Sequence, residues 1–263
     1  MAGIYVELRD RLARHGLNLV GTTPAAGYDA VVPARWAIGP HAPDVLSVVV
    51  IGNGGGAFWE AFQRGAGPAA APRHDPLDTF TRAVVTEEVR PLSAELGGPV
   101  RIVFPFDAGP PALSFVHLAE CAGLGRSSLL GVLVHPEFGP WIALRAALLL
   151  PFVLDAPRPA DGFDPCPTCV ERPCITACPG AAVGSAGWDV PTCVAHRLGG
   201  VGDGCDAGCH ARIACVFGRS HRYPPAALAF HQASARRVFE RRGRGTAEEA
   251  AGPPNAPAES RNR

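Results

Sequence analysis

Eight of the nine cysteines fall between Cys166 and Cys215, and thiolates gathered so closely are donors for a soft metal. The first four lie in Cys166-Pro-Thr-Cys169-Val-Glu-Arg-Pro-Cys174-Ile-Thr-Ala-Cys178-Pro179. Two close cysteines, a third, and a fourth three residues later before proline is an order that supplies 4Fe–4S clusters. A looping backbone can aim three thiolates at one cube, while the fourth, already entering a helix, points away and often serves a second. Four residues separate Cys169 from Cys174 where the strict motif has two, which a bulged loop accommodates. The second set, Cys193, Cys205, Cys209 and Cys215, is looser, with spacers of eleven, three and five and Val216 in place of proline. If the ligands cross, Cys166, Cys169 and Cys174 share a cluster with Cys215, and Cys178 joins Cys193, Cys205 and Cys209. Zinc is the alternative, since Cys-x2-Cys with His196 or His210 builds a tetrahedral site. The Cys-Pro ending and the small residues Gly180, Ala181 and Ala182 favour iron–sulfur, as one or two clusters. Cys121 stands apart and reads as a core residue.

The elements that must position these thiols divide the chain. Residues 4–16 read as an amphipathic helix ended by Gly16. Val45 to Ile51 reads as a buried strand running into a Gly52–Gly56 loop, Pro76 to Leu96 as helix, Val100 to Phe104 as strand and Ala112 to Cys121 as helix. Leu129 to Val134 and Ile142 to Leu150 read as two further strands. Mixed helix and strand define an α+β domain over residues 1–154. Asp155 to Asp164 is rich in Pro, Asp and Gly and reads as a linker. Residues 155–240 form a cysteine-rich module with few apolar periods, which needs metal to organise it. Residues 241–263 read as a disordered tail.

Composition narrows the function classes. The 263 residues are 47% hydrophobic and 18% charged, with formal charge zero, so no global field draws the chain to nucleic acid or an acidic membrane. All 24 cations are arginine. The N-terminus carries Glu7, Arg9, Asp10 and Arg11 where an export signal needs an apolar run. Trp141 to Leu154 is too short to span a bilayer and contains Arg145. A cytoplasmic setting is expected, where clustered thiols favour metal over disulfides.

Several short motifs carry a family resemblance. Asp107, Ala122-Gly123-Leu124-Gly125, Glu137-Phe138-Gly139-Pro140-Trp141 and the cysteine order resemble epoxyqueuosine reductase, a cobalamin-dependent iron–sulfur family. The stretch from Gly131 through His135 and Trp141 to Arg145 is similar to the cobalamin-processing CblC family. Asp75-Pro76-Leu77-Asp78, Arg222-Tyr223 and Phe230 extend that likeness, so the motifs are spread over residues 75–235. The resemblance implies a nitroreductase-like, CblC-type α/β sandwich that binds cobalamin in place of flavin, followed by a small ferredoxin-like iron–sulfur module. It implies a corrinoid held over the sheet edge and lined by Gly123, Gly125, His135, Phe138, Gly139 and Trp141, with Asp107 as proton donor. The residues also read plainly, as two glycines ending a helix, a proline-containing turn, a core tryptophan, and Asp107 as a helix N-cap before Ala112.

The expected function is an iron–sulfur oxidoreductase acting on a small molecule or a corrinoid, with electrons from a redox partner. The competing readings are a ferredoxin-like electron carrier without catalysis and a zinc-stabilised binding protein. The chain ends in a short tail where epoxyqueuosine reductases carry a helical-repeat region that helps hold transfer RNA. Arg236, Arg237, Arg241, Arg242 and Arg244 read as a solvated helix end, and nucleic acid is not expected as a partner.

Overall fold

Val48, Val49, Val50 and Ile51 are β-branched and fully buried, which suits a strand covered on both faces. They lie in the middle of a four-stranded antiparallel sheet in a computed structural model that describes residues 2–66, 75–93, 95, 100–107, 109–154, 162–200 and 202–244. The chain opens with α1 (Ala2–Ala13), β1 (Leu19–Pro24), α2 (Ala25–Asp29), β2 (Ser47–Gly54), α3 (Ala57–Ala66), α4 (Pro76–Val89), β3 (Arg101–Val103) and α5 (Phe115–Cys121). Two short strands, β4 (Arg126–Ser127) and β5 (Leu133–Val134), pair with each other before β6 (Ile142–Leu150) re-enters the large sheet, whose order is β1-β2-β6-β3.

The chain forms two compact units. One comprises residues 1–125 and 142–162, the other 126–141 and 163–263. Where the sequence suggests a single boundary after residue 154, residues 126–141 group with the cysteine-rich unit. Their β4–β5 ladder is closed by Gly131, whose φ of +69° brings its Cα against the Trp188 ring, 2.4 Å from where a Cβ would stand.

In the first unit α2 and α5 pack on β1, α3 packs on β2, and α1 packs on α4. Leu8 and Leu12 supply the buried face of α1, which Gly16 ends at φ +75°. The sheet reaches into the expected glycine loop. Gly54 exchanges two hydrogen bonds with the Asn18 side chain (2.7 and 3.1 Å), and a bulge at Ile51/Gly52 realigns β2 on β6. The helix from Pro76 stops at Val89 and tightens into a 3-10 turn over Arg90–Leu92, because Pro91 cannot donate to the α ladder. The expected 129–134 strand shrinks to its last two residues.

The second unit contains α6 (Pro165–Thr168), α7 (Pro173–Thr176), the hairpin β7 (Val183–Gly184) and β8 (Gly187–Trp188), α8 (Val190–Leu198), α9 (His210–Ala214) and α10 (Pro225–Arg244). Cys174, Val183 and Ala211 form a small buried cluster, packed by Leu129, Leu130 and Trp188. Helix α10 runs to Arg244, so residues 241–244 are helical and not part of a tail; 245–263 lie outside the described residues. Among the described residues, no helix is long and apolar enough to cross a membrane.

One buried polar pair locks the large sheet. Arg145 of β6 is 8% exposed, donates from Nε to Asn53 Oδ1 at 2.8 Å, and lies 4.8 Å from the Phe58 ring centroid. Asn53→Ala removes that acceptor from a buried charge. It should lower the unfolding free energy by about 1–3 kcal/mol, read as a lower urea midpoint with circular dichroism retained in water.

Candidate metal centre

Backbone turns aim the first three cysteines. Cys166 sits in α6, Cys169 closes that helix, and Cys174 opens the next turn in α7. The longer spacer between them is absorbed outward. Val170 is 94% exposed, and Arg172 takes a left-handed conformation at φ +42° before Pro173 restarts the helix. Past α7, Cys178 lines a different cavity from these three.

Cys166, Cys169, Cys174 and Cys215 line one small pocket, with Leu129, Val134 and Phe217 among its apolar walls. The Leu129 N–H donates to Cys166 Sγ at 3.4 Å. Burial pushes the Cys174 thiol up, and neighbouring Cys166, Cys215 and Cys169 add to this. Cys215 is raised likewise by burial and then by Cys166 and Cys169, although the Phe217 N–H and Arg219 oppose it.

Cys178, Cys193, Cys205 and Cys209 line a second cavity of about 250 Å³, together with Trp188, His196 and Arg197. Here Cys178 Sγ accepts from the Ala182 N–H at 3.3 Å. Burial raises the Cys193 thiol, and burial followed by Asp203 pushes Cys205 up to about 12. The division is the crossed one, with Cys178 taken from its sequence neighbours and Cys215 given to them.

Each pocket therefore offers four sulfur donors in an apolar wall. Four thiolates there repel one another, so a metal that binds must displace protons and supply the compensating charge. Four sulfurs suit an iron–sulfur cluster and also tetrahedral zinc. His196 and His210 each engage Asp203 through Nε2, His196 meeting its carboxylate and His210 its backbone oxygen at 2.8 Å, an arrangement that also orients metal-bound histidines. His196, Asp203 and Cys205 lie together, with ligand atoms within 4.8 Å of one another. Asp203 is held at about 2, first by the Cys205 N–H and then by His196. Gly180 passes so close to His196 that a Cβ would stand 2.6 Å from its ring, which accounts for one of the small residues after Cys178.

The other expected site residues fall in both units. Gly123 follows the Ala122 cap of α5 at φ +72°, and Gly125 lies two residues further on at φ +149°. Asp107 lies in the turn after β3, where its carboxylate accepts from the Phe104 N–H at 3.3 Å and pairs with Arg82. The Arg82 guanidinium also covers the Phe104 ring at 4.4 Å. Asp107 is not a helix cap; the residue in that position is Ser114. Arg82 escaped the sequence reading, as did the charge balance around Asp78, a carboxyl that burial raises against the pull of Arg145.

In the second unit, His135 and Gly139 exchange two backbone hydrogen bonds of 2.8 Å. Gly139 is required there, since at φ +57° a Cβ would stand 2.2 Å from the Phe217 carbonyl oxygen. Phe138 packs edge-on against His221. Trp141 is fully buried, T-shaped to Tyr223 and covered by Arg212 at 4.8 Å. Arg212, which holds the Pro140 carbonyl at 2.5 Å, gave no signal in sequence.

No protein-family model matches the sequence, and no curated protein does. Solved structures match. Epoxyqueuosine reductase from Streptococcus thermophilus superposes with a TM-score of 0.56 at 14% identity, over 83% of this chain and 67% of that one. The C. elegans B12-trafficking protein CblC gives 0.56 at 14% identity, over 90% and 94% of the two chains. This chain has their fold. An epoxyqueuosine reductase bound to an epoxyqueuosine-modified tRNA-Tyr stem loop gives 0.52 at 18% identity, over 85% of this chain and 67% of that one. A protein of this fold is thus bound to RNA, whereas nucleic acid was not expected as a partner of this chain.

The His135 loop yields a pH test. Its Nδ1 accepts the N–H groups of Glu137 and Phe138 at 3.1 and 3.2 Å, so that nitrogen carries no proton. Burial holds the imidazole below its ordinary value, with Glu137 opposing. As pH falls, the unfolded chain therefore takes up the proton first. The stabilisation is complete above about 6.5 and declines from there down to the folded value. Urea midpoints should drop on moving from pH 8 to pH 5, and drop less in His135→Asn.

Proposed function

We propose that this chain is an iron–sulfur oxidoreductase that uses a bound cobalamin for reductive chemistry. The observation that carries the reading is the sorting of eight cysteines into two four-sulfur pockets. Cys166, Cys169, Cys174 and Cys215 would hold one 4Fe–4S cluster, and Cys178, Cys193, Cys205 and Cys209 the other, making a ferredoxin-like module. The backbone donors to Cys166 and Cys178 suit this use, because N–H groups directed at sulfur stabilise its negative charge. A separate redox partner would supply the electrons.

Cobalamin enters through the fold shared with a B12-trafficking protein. When bound, it supplies a metal centre that can be reduced to a strongly nucleophilic state. Among the residues, Gly123 and Gly125 fit such a ligand, because backbone without a side chain lets a flat ring approach. Trp141 offers it no face. Asp107 is held at a defined place by Arg82 and the Phe104 N–H, and it would deliver a proton to the reduced substrate once the pair with Arg82 opens. The substrate class is a small molecule or a corrinoid. A modified nucleoside within RNA joins these on the strength of the tRNA-bound structure.

Anaerobic reconstitution tests the metal half. The chain should take up about eight irons and as many acid-labile sulfides, two cubes of four. Cys178→Ala should weaken the second cluster's spectrum more than the first, and Cys174→Ala the reverse. Zinc without sulfide would reject the reading.

The corrinoid half is tested by adding hydroxocobalamin to the reconstituted chain. Its spectrum should shift on binding. Asp107→Asn should leave that shift intact and slow turnover about a hundredfold or more, the usual worth of a general acid. A chain that holds both clusters but no corrinoid belongs with the electron carriers.

A further inference from the structure

Arg197 is a buried cation that the reading above leaves without a task. It stands on α8 four residues after Cys193, so both side chains leave the same helix face one turn apart. Both line the cavity of the second cysteine set. Arg197 is 8% exposed. One edge of its guanidinium is tied down, with Nη2 donating to Asp206 Oδ1 at 3.3 Å and to the Gln232 carbonyl at 3.0 Å. Its centre lies 5.3 Å from the Phe239 ring centroid. The Nε–H is different: it is buried and has no hydrogen-bond partner among the described residues.

A buried guanidinium donor without an acceptor is costly, and native folds rarely retain one without use. Four cysteine sulfurs line the same cavity and can accept from such a donor. A buried cation thus lines the same cavity as the four thiols. The first cysteine set has no such neighbour among the described residues. Arg172 at its pocket is half-buried and Arg219 is exposed, where water and salt screen a charge.

We infer that Arg197 raises the reduction potential of the second cluster, donating Nε–H to a sulfur of Cys193 or of the cluster and fixing a positive charge beside it. The inference rests on the iron–sulfur reading. In the reaction concerned, the oxidised cluster takes one electron from a low-potential donor, no bond or proton moves, and its net charge becomes more negative by one. A nearby cation stabilises that product more than the starting state. Because arginine stays protonated in proteins, the effect is independent of pH. The second cluster then becomes the place where the electron of a half-reduced pair resides.

The test is a potentiometric titration of the reconstituted full chain, with dithionite as reductant and electron paramagnetic resonance as readout. The second signal is assigned by its loss in Cys178→Ala. Arg197→Met should keep the wild-type iron and sulfide content and lower the midpoint of that signal, leaving the first in place. The expected size is about a tenfold fall in the reduced-to-oxidised ratio at the wild-type midpoint, which is about 59 mV for a one-electron couple. Should Arg197→Met not retain iron, Arg197→Lys is read in its place. It keeps a charge without the Nε–H, and its midpoint should fall by less than that of Arg197→Met, a less than tenfold change in the reduced-to-oxidised ratio. An unchanged or higher midpoint in the variant read overturns the inference while the clusters stand. A wild-type chain without iron and sulfide overturns the iron–sulfur reading itself, and this inference with it.

Discussion

Eight thiols in a unit with a small apolar core impose the constraint on which the cysteine-rich half depends. Cys174, Val183 and Ala211 form one small cluster there, and the turns and four-residue helices around it carry a conformational entropy cost that bonds to a metal would help to offset. The thiols do not help by themselves, because burial and mutual repulsion keep several of them protonated. A metal changes both terms at once. It removes the protons, neutralises the repulsion and ties together segments that are distant in sequence, such as Cys166 and Cys215. The short helices of this unit follow from that demand. Each is a turn or two long, long enough to set the direction of one sulfur.

The first unit meets the opposite situation. Its sheet is held by burial on both faces of β2 and β6, and its polar exceptions are matched by partners. Asn53 serves Arg145, and the Tyr28 hydroxyl links the Trp36 carbonyl to the Ser114 N–H. Asp107, paired with Arg82, sits in the turn at the end of β3, one of the sheet's shorter strands. Rigidity of this kind is what a site needs if a proton is to be delivered from a fixed distance.

The parts legible in sequence were those with a period or a spacing. Ile142 to Leu150 is a continuous apolar run, and the strand has those limits. The grouping of cysteines was legible as a conditional, because only the direction in which Cys178 leaves α7 separates crossed from uncrossed ligation. Elements fixed by tertiary contact were not. Leu19–Pro24 has too little alternation to announce a strand, and it forms one through its pairing with β2. Val190–Leu198 has Pro191 in its first turn and contains a cysteine, which hid a helix capped by Asp189. Trp141 could be read as a stacking face or a core ring, and only the position of Arg212 and Tyr223 decides between them. Arg197 had one faint signal, its spacing from Cys193, and nothing in the sequence marked it as buried.

The interleaving of the two units bears on how the chain is made. Residues 126–141 belong with the cysteine-rich unit, yet β6, a central strand of the large sheet, follows them. During synthesis the sheet lacks a middle strand until after part of its neighbour has emerged, so the amino-terminal unit is not finished before the other is begun. A single cut between residues cannot release either unit whole. The cysteine-rich half is thus not a cassette appended to a complete domain, because the chain passes through each unit twice, and removal of one half in a single piece would break the other.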